Sequence, residues 1–282
     1  MNNEPRKTDI PHTPVPPDTT VLVRGGGDLA SGTAWRLHRC GFNVVITEID
    51  HPLAVRRTVS FCEAVFERRV VIEGVAAALV DSPAQASALW QKHEIPVFVD
   101  PRCELKRTIR PQVLVDAIMA KRNLGTSIND APLVIGLGPG FTAGEDVHNV
   151  IETNRGHFLG RVIDSGRAEP DTGSPGPVMG ITKDRVIHAP RSGLWETSKE
   201  IGTMVRAGDK IGTIDDTPVT TSIDGVLRGA VRAGINVDQG MKLGDVDPRG
   251  IREHCFTISD KALAIAGGVL EAIFHHFWAG QG

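Results

Sequence analysis

The chain has 282 residues, 40% of them apolar and 23% charged, with a formal net charge of -3. That is enough for about two domains of an ordinary globular protein, and the slight acidic balance leaves no basic footprint for nucleic acid. No apolar run approaches the roughly 18 residues a membrane helix needs, so neither nucleic acid nor a bilayer is expected as a partner.

Residues 1–18 hold prolines at positions 5, 11, 14, 16 and 17 and read as a disordered tail without a secretory h-region. A Rossmann-like domain is expected over 19–125. Its first strand, Val21-Leu22-Val23, runs into Gly25, Gly26 and Gly27, and Gly25, Gly27 and Ala30 fit the G-x-G-x-x-G/A spacing of a dinucleotide-binding turn. Backbone without side chains there lets a pyrophosphate approach the amides of the helix that follows. Ser31 and Gly32 continue that helix. The next strand, Asn43 to Thr47, ends at Glu48, placed where a carboxylate would hold ribose hydroxyls. Asp28 cuts across this pattern. Its charge repels phosphate, and it could cap the helix through the same amides. An offset ligand, a mediating metal or water, and an empty site all stay open.

Further along, Pro52 to Phe61 reads as a helix whose Arg56 and Arg57 point toward the nucleotide edge. Ser82-Pro83 signals another helix, with Ser82 as its cap. Short apolar strands end in Asp100 and Asp116. Strands alternating with helices imply a parallel, doubly wound sheet with ligands at its carboxyl ends.

Residues 126–182 form a glycine-loop and linker region. Gly138 and Gly140 flank Pro139 in a tight loop, and Glu152, Arg155 and His157 follow closely. An arginine suits oxyanion recognition and a histidine suits proton transfer. From 183 to 248 the chain repeats itself. An offset of 32 residues lays Gly193, Gly202, Gly208 and Gly212 on Gly225, Gly234, Gly240 and Gly244. Two such units of short strands must pack on each other. The pattern resembles the barrel-sandwich hybrid of biotinyl and lipoyl domains, but the turn between the halves, Asp215 to Pro218, has no lysine to carry a cofactor. The last region, 249–282, is a helix expected to pack on the first domain or on a second subunit, which keeps a homo-oligomer open.

The four cysteines, Cys40, Cys62, Cys103 and Cys255, form no C-x-x-C pair, and the cytoplasm is the expected compartment. No metal site is expected, and the absence of tyrosine removes phenolic acid–base chemistry.

GGGDLASG, LGPGF, ETNRGHFLGRVI, KLGDVDPR and CFTISDKALAIAGGVLEAI together resemble the selenium-dependent molybdenum hydroxylase system family over roughly residues 20 to 275. The first domain is also similar to the Rossmann part of xanthine dehydrogenase accessory proteins. The resemblance implies a maturation or accessory protein rather than a stand-alone enzyme, with a molybdenum hydroxylase apoenzyme as partner. Its small-molecule nucleotide ligand would be a molybdopterin dinucleotide or NAD(P). By this likeness Gly25, Gly26, Gly27, Asp28, Ser31 and Gly32 form one loop of the site, and Gly138, Gly140, Glu152, Arg155 and His157 a second. Cys103 or Cys255 would assist sulfur or selenium handling. An NAD(P)-dependent oxidoreductase using His157, and a non-catalytic docking scaffold, are the alternatives.

Overall fold

In a computed structural model, described for residues 18–173 and 176–279, the chain begins with an alternation of strands and helices. The expected N-terminal tail lies almost wholly outside the described residues. The elements are β1 (Thr20–Arg24), α1 (Asp28–Arg39), β2 (Asn43–Glu48), α2 (Ala64–Glu67), β3 (Arg69–Ile72), β4 (Val75–Leu79), α3 (Pro83–Trp90), β5 (Ile95–Val99), α4 (Leu105–Ile109), β6 (Val113–Asp116), β7 (Leu133–Leu137), β8 (Asn149–Ile151) and β9 (Val162–Ile163). They build one nine-stranded sheet in the order β3-β4-β5-β2-β1-β6-β7-β8-β9. The pairings from β4 through β8 are parallel. Those of β3 with β4 and of β8 with β9 are antiparallel.

The central strands are continuous apolar runs because both faces are covered. Val21, Val23, Val44, Ile46, Val113 and Val115 share one core with α1 and the C-terminal helix. Leu22, Val45, Leu114 and Val134 share the opposite core with residues of α3 and α4. Ser82 caps α3 by accepting from the Gln85 amide, with Pro83 at the first helical position.

The second part of the chain comprises β10 (Val186–His188), β11 (Gly193–Glu196), β12 (Met204–Val205), β13 (Lys210–Ile214), β14 (Thr217–Thr220), β15 (Gly225–Ala230), β16 (Ile235–Val237) and β17 (Lys242–Asp247), and α5 (Asp260–Ala279) closes it. Its strands form two four-stranded antiparallel sheets, β10-β17-β15-β12 and β14-β13-β11-β16. The internal repeat explains the pairing. Val205 of the first unit lies opposite Gly225 of the second, and Val237 of the second lies opposite Gly193 of the first. Each unit lends its short middle strand to the other, so neither buries its apolar face alone. Trp195, Ile211, Leu227, Leu243 and Val246 fill the shared core.

This arrangement corrects the expected fold class, a Rossmann-like doubly wound parallel sheet with a biotinyl- or lipoyl-like barrel-sandwich hybrid and a terminal helix. The large sheet is mixed, and the repeat makes two sheets, neither closed on itself. Double winding needs a helix in each crossover. The link from β6 to β7 holds only a 3₁₀ turn, Ile128–Asp130, and the link from β7 to β8 holds no helix. The missing cover comes from the far end of the chain, since α5 lies across α1 and reaches β7, β8 and β9. Segment 52–61, expected as a helix, contains only the 3₁₀ turn Arg57–Val59 before a second one begins at Phe61. Among the described residues, no helix is long and apolar enough to cross a membrane.

Gly32 sets the approach of α1 to α5. A Cβ there would lie 2.7 Å from the Ala262 Cβ and 3.1 Å from Ile258 Cγ2. Both helix backbones resist displacement, so the added atoms overpack the contact. Gly32→Val should destabilise the protein by about 1–3 kcal/mol, measured as a lower urea midpoint with an unchanged slope.

Candidate functional site

The turn after β1 is built against the protein's own backbone on two sides. Gly25 adopts φ +99°, a conformation costly for residues with a Cβ. Its amide bonds Thr47 O at 2.8 Å. A Cβ on Gly25 would meet the Ala117 backbone at 3.2 Å, and one on Gly26 would meet the Cys62 amide nitrogen at 2.9 Å. Gly27 differs, because a Cβ there would find open space within 4 Å. The first helical bond of α1 runs from Ser31 N to Gly27 O. The amides of Asp28, Leu29 and Ala30 therefore precede the ladder, and Gly27, at the N-cap, offers no side chain to them.

These amides open on a cavity of about 370 Å³ at the carboxyl ends of β1, β2, β5 and β6. That volume suits a small ligand. Arg24, Asp28, Thr47, Glu48, Asp100 and Cys62 supply its polar lining, with Pro52, Leu53, Ile118, Met119 and Leu124 as apolar wall. Arg24 is fixed below it, donating from Nη1 to Asp116 Oδ2 at 3.2 Å and to Thr126 Oγ1 at 2.8 Å. Asp116 is buried in that ion pair. Asp100 accepts from the Leu105 amide at 2.8 Å.

Glu48 forms the wall beside the glycine turn. Its Oε2 accepts from the Gly26 amide and its Oε1 from the Ile49 amide, both at 2.8 Å. Each oxygen keeps acceptor capacity toward the cavity. Burial pushes its carboxyl above the ordinary value of 4.5, while the two amides pull it down. Asp28 does not cap α1. Its Oδ2 lies 3.6 Å from Arg56 Nη1, so it does not compete for the helix amides.

The remaining expected residues lie outside the lining of this cavity. Ser31 Oγ donates to Gly26 O at 3.0 Å and accepts from the Phe61 amide at 2.7 Å. Gly32 faces α5 and not the cavity. The second loop does not join the first in this cavity. Gly138 and Gly140 pack against Thr153 and against the backbone of Arg122. Glu152 is buried and accepts from the Asn154 amide at 2.7 Å and the Glu169 amide at 2.8 Å. Arg155 forms a two-pronged ion pair with Asp260 at 2.7 and 3.0 Å. His157 is exposed, its ring 5.0 Å from that of Phe158.

Burial raises the thiol of Cys103 to about 11 and also raises that of Cys255. Burial thus disfavours the thiolate form of each, the form a sulfur or selenium nucleophile uses. Cys62 lines the cavity but is raised further still, by burial and then by Glu48, Glu63 and Asp28. Among the described residues, no cluster of three or more His, Cys, Asp or Glu side chains is arranged to hold a metal ion. The apolar wall from Pro52, Ile118 and Leu124 carried no sequence signal, since loop residues show no periodicity.

No family model matches the chain. It is 49% identical over 253 residues to "Uncharacterized protein YqeB" of Escherichia coli (strain K12), which covers 90% of this chain and 47% of that protein. The chain thus spans about half the length of this curated relative. Among solved structures, a succinylglutamate desuccinylase/aspartoacylase from Rhodobacter sphaeroides is similar at 17% identity and a TM-score of 0.25, with 81% of this chain and 85% of that one covered. The ectoine utilization protein EutE (DoeB) from Ruegeria pomeroyi is similar at 10% identity and a TM-score of 0.26, over 81% and 85% of the two chains. Likeness at this level carries no argument about this chain's activity. The matches do correct the expected membership in the selenium-dependent molybdenum hydroxylase system, because no molybdenum, selenium or maturation protein is named among them. The expected maturation function falls with it, together with the NAD(P)-dependent oxidoreductase and docking-scaffold alternatives.

Glu48 provides a test of the site's electrostatics. Its folded-state value lies above 4.5, so the folded protein holds that proton to higher pH than the unfolded chain. The resulting stability is full below 4.5 and is lost as pH rises through the folded value. Denaturant titrations above that pH should show the stability of wild type falling relative to Glu48→Gln, which cannot titrate. A difference that instead moves in favour of wild type would mean a lowered value.

Proposed function

We propose that the protein binds a small molecule in this cavity, one that carries neighbouring hydroxyls beside an anionic oxygen group. A nucleotide ligand and a sugar phosphate share that chemistry. The observation that carries the reading is the uncapped start of α1, with open space at Gly27 and the Glu48 carboxylate beside it. Helix-start amides favour an oxyanion, and a carboxylate with spare lone pairs accepts hydroxyl donors. The apolar wall shields these contacts from water, which strengthens them. The cytoplasm remains the proposed compartment, a reading supported by four free thiols.

Isothermal titration calorimetry with ADP and with ribose 5-phosphate tests the reading and separates the two sources of that chemistry. At least one should bind saturably. Glu48→Gln should weaken it about tenfold or more, as expected for hydrogen bonds to a charged acceptor. Gly27→Leu, whose side chain enters the cavity from a backbone with φ -67°, should abolish binding while leaving the far-ultraviolet circular dichroism unchanged. Absence of saturable binding by both probes contradicts the proposal.

A further inference from the structure

Large apolar side chains left in water are unevenly spread over this molecule. Twelve are exposed among the described residues, and four of them, Ile49, Leu53, Ile118 and Leu124, line the cavity at the end of β1. Their exposures are 40%, 50%, 36% and 42%. Apolar surface gathered at the mouth of a cleft marks a place that something apolar covers.

The four come from two sides. Ile49 and Leu53 follow β2, and Ile118 and Leu124 follow β6. These strands are the two neighbours of β1, so the segments stand on either side of the glycine turn. Both walls are fixed at their base. The Ile49 amide donates to Glu48 Oε1 at 2.8 Å, on the carboxylate that also takes the Gly26 amide. On the other side, Ala117 N donates to Arg24 O at 2.9 Å and Ile118 N to Asp116 Oδ1 at 3.2 Å. Arg24 Nη2 donates to Leu124 O at 3.1 Å while its Nη1 pairs with Asp116. One buried ion pair thus holds segment 117–124 at both ends. Asn123 Oδ1 fastens the return, accepting from the Gly125 and Thr126 amides at 2.9 and 2.8 Å. A slot built this way is formed before a ligand arrives, so little ordering entropy is lost on binding.

The slot is two-sided and aliphatic, and it opens into the same space of about 370 Å³ that Glu48 and the glycine turn line. A flat protein surface does not enter such a space. A planar ring does, and it buries both faces against side chains. We infer that the ligand carries a planar ring, the base of a nucleotide, held between the Ile49–Leu53 wall and the Ile118–Leu124 wall. This rests on the small-molecule reading above and decides between its two sources of hydroxyls and oxyanion. Ribose 5-phosphate has both groups but nothing to cover the four apolar side chains.

Calorimetric titration of the full chain with ADP and with ribose 5-phosphate provides the test. ADP should bind about tenfold more tightly or better, as expected for burial of a ring's apolar faces. Leu53→Ser and Leu124→Ser should each weaken ADP several-fold and leave ribose 5-phosphate within about twofold. Both side chains are exposed, so the variants keep the fold. Val71→Ser is the control, at a valine that is 55% exposed on β3 and away from the cavity, and it should leave ADP affinity unchanged. Equal affinity for the two ligands overturns the inference, as do leucine variants that weaken both ligands alike or neither. A leucine variant that alters the sedimentation coefficient and not ADP affinity assigns the apolar rim to contact between copies, which also overturns it. In each of these cases Glu48-dependent binding leaves the small-molecule reading standing. Failure of both ligands to bind removes both.

Discussion

The site depends on how the glycine turn after β1 is closed. Gly25 and Gly26 lie directly against the backbones of Ala117 and Cys62, and Glu48 binds the Gly26 amide. Every contact that could fill the turn is therefore made on its inner side. The outer side, at Gly27 and the following amides, is left for a ligand. Had Asp28 capped the helix, the same sequence would have produced a satisfied helix start with no binding capacity. The 3.6 Å pair with Arg56 draws it aside.

Arg56 also ties the two halves of the molecule together, since its Nη2 donates to His254 O and Thr257 O. The segment after β2 gives Pro52, Leu53 and Ala54 to the cavity wall. It then enters the seam with the repeat region. Arg57 Nε donates to Ala230 O at 2.7 Å, and Thr58 Oγ1 donates to Cys255 O at 2.5 Å. Arg232 returns the contact by pairing with Glu63 and Glu67. A single stretch of chain thus shapes the cavity and anchors the small sheets, so the position of Arg56 follows from the seam. The sign of charge at α1 is set by residues far from it in sequence.

Local order was legible and long-range assembly was not. The strand, turn and helix from Val21 to Gly32, the carboxylate at Glu48 and the helix cap at Ser82 follow from patterns within a few residues. The repeat was legible as a repeat, because its glycines recur in register. That its middle strands are exchanged between two open sheets was not, since strand partners are set by non-local hydrogen bonds. The mixed character of the large sheet escaped for the same reason. The cover expected from crossover helices comes from α5, whose Gly268 packs against Gly160. Glu152, Arg155 and His157 are close in sequence, yet none of them lines the cavity. Each turned to a different partner, Glu152 to the Asn154 and Glu169 amides, Arg155 to Asp260 and His157 to the Phe158 ring. The shared strings also suggested a family whose function the matches do not bear out.

The most direct test is to follow backbone amide resonances in a ¹H–¹⁵N correlation spectrum during titration with ribose 5-phosphate. The account predicts that the largest shifts fall on Gly27, Asp28, Leu29 and Ala30, with smaller ones at Ile49. Saturating shifts elsewhere that leave those four amides unmoved would contradict it.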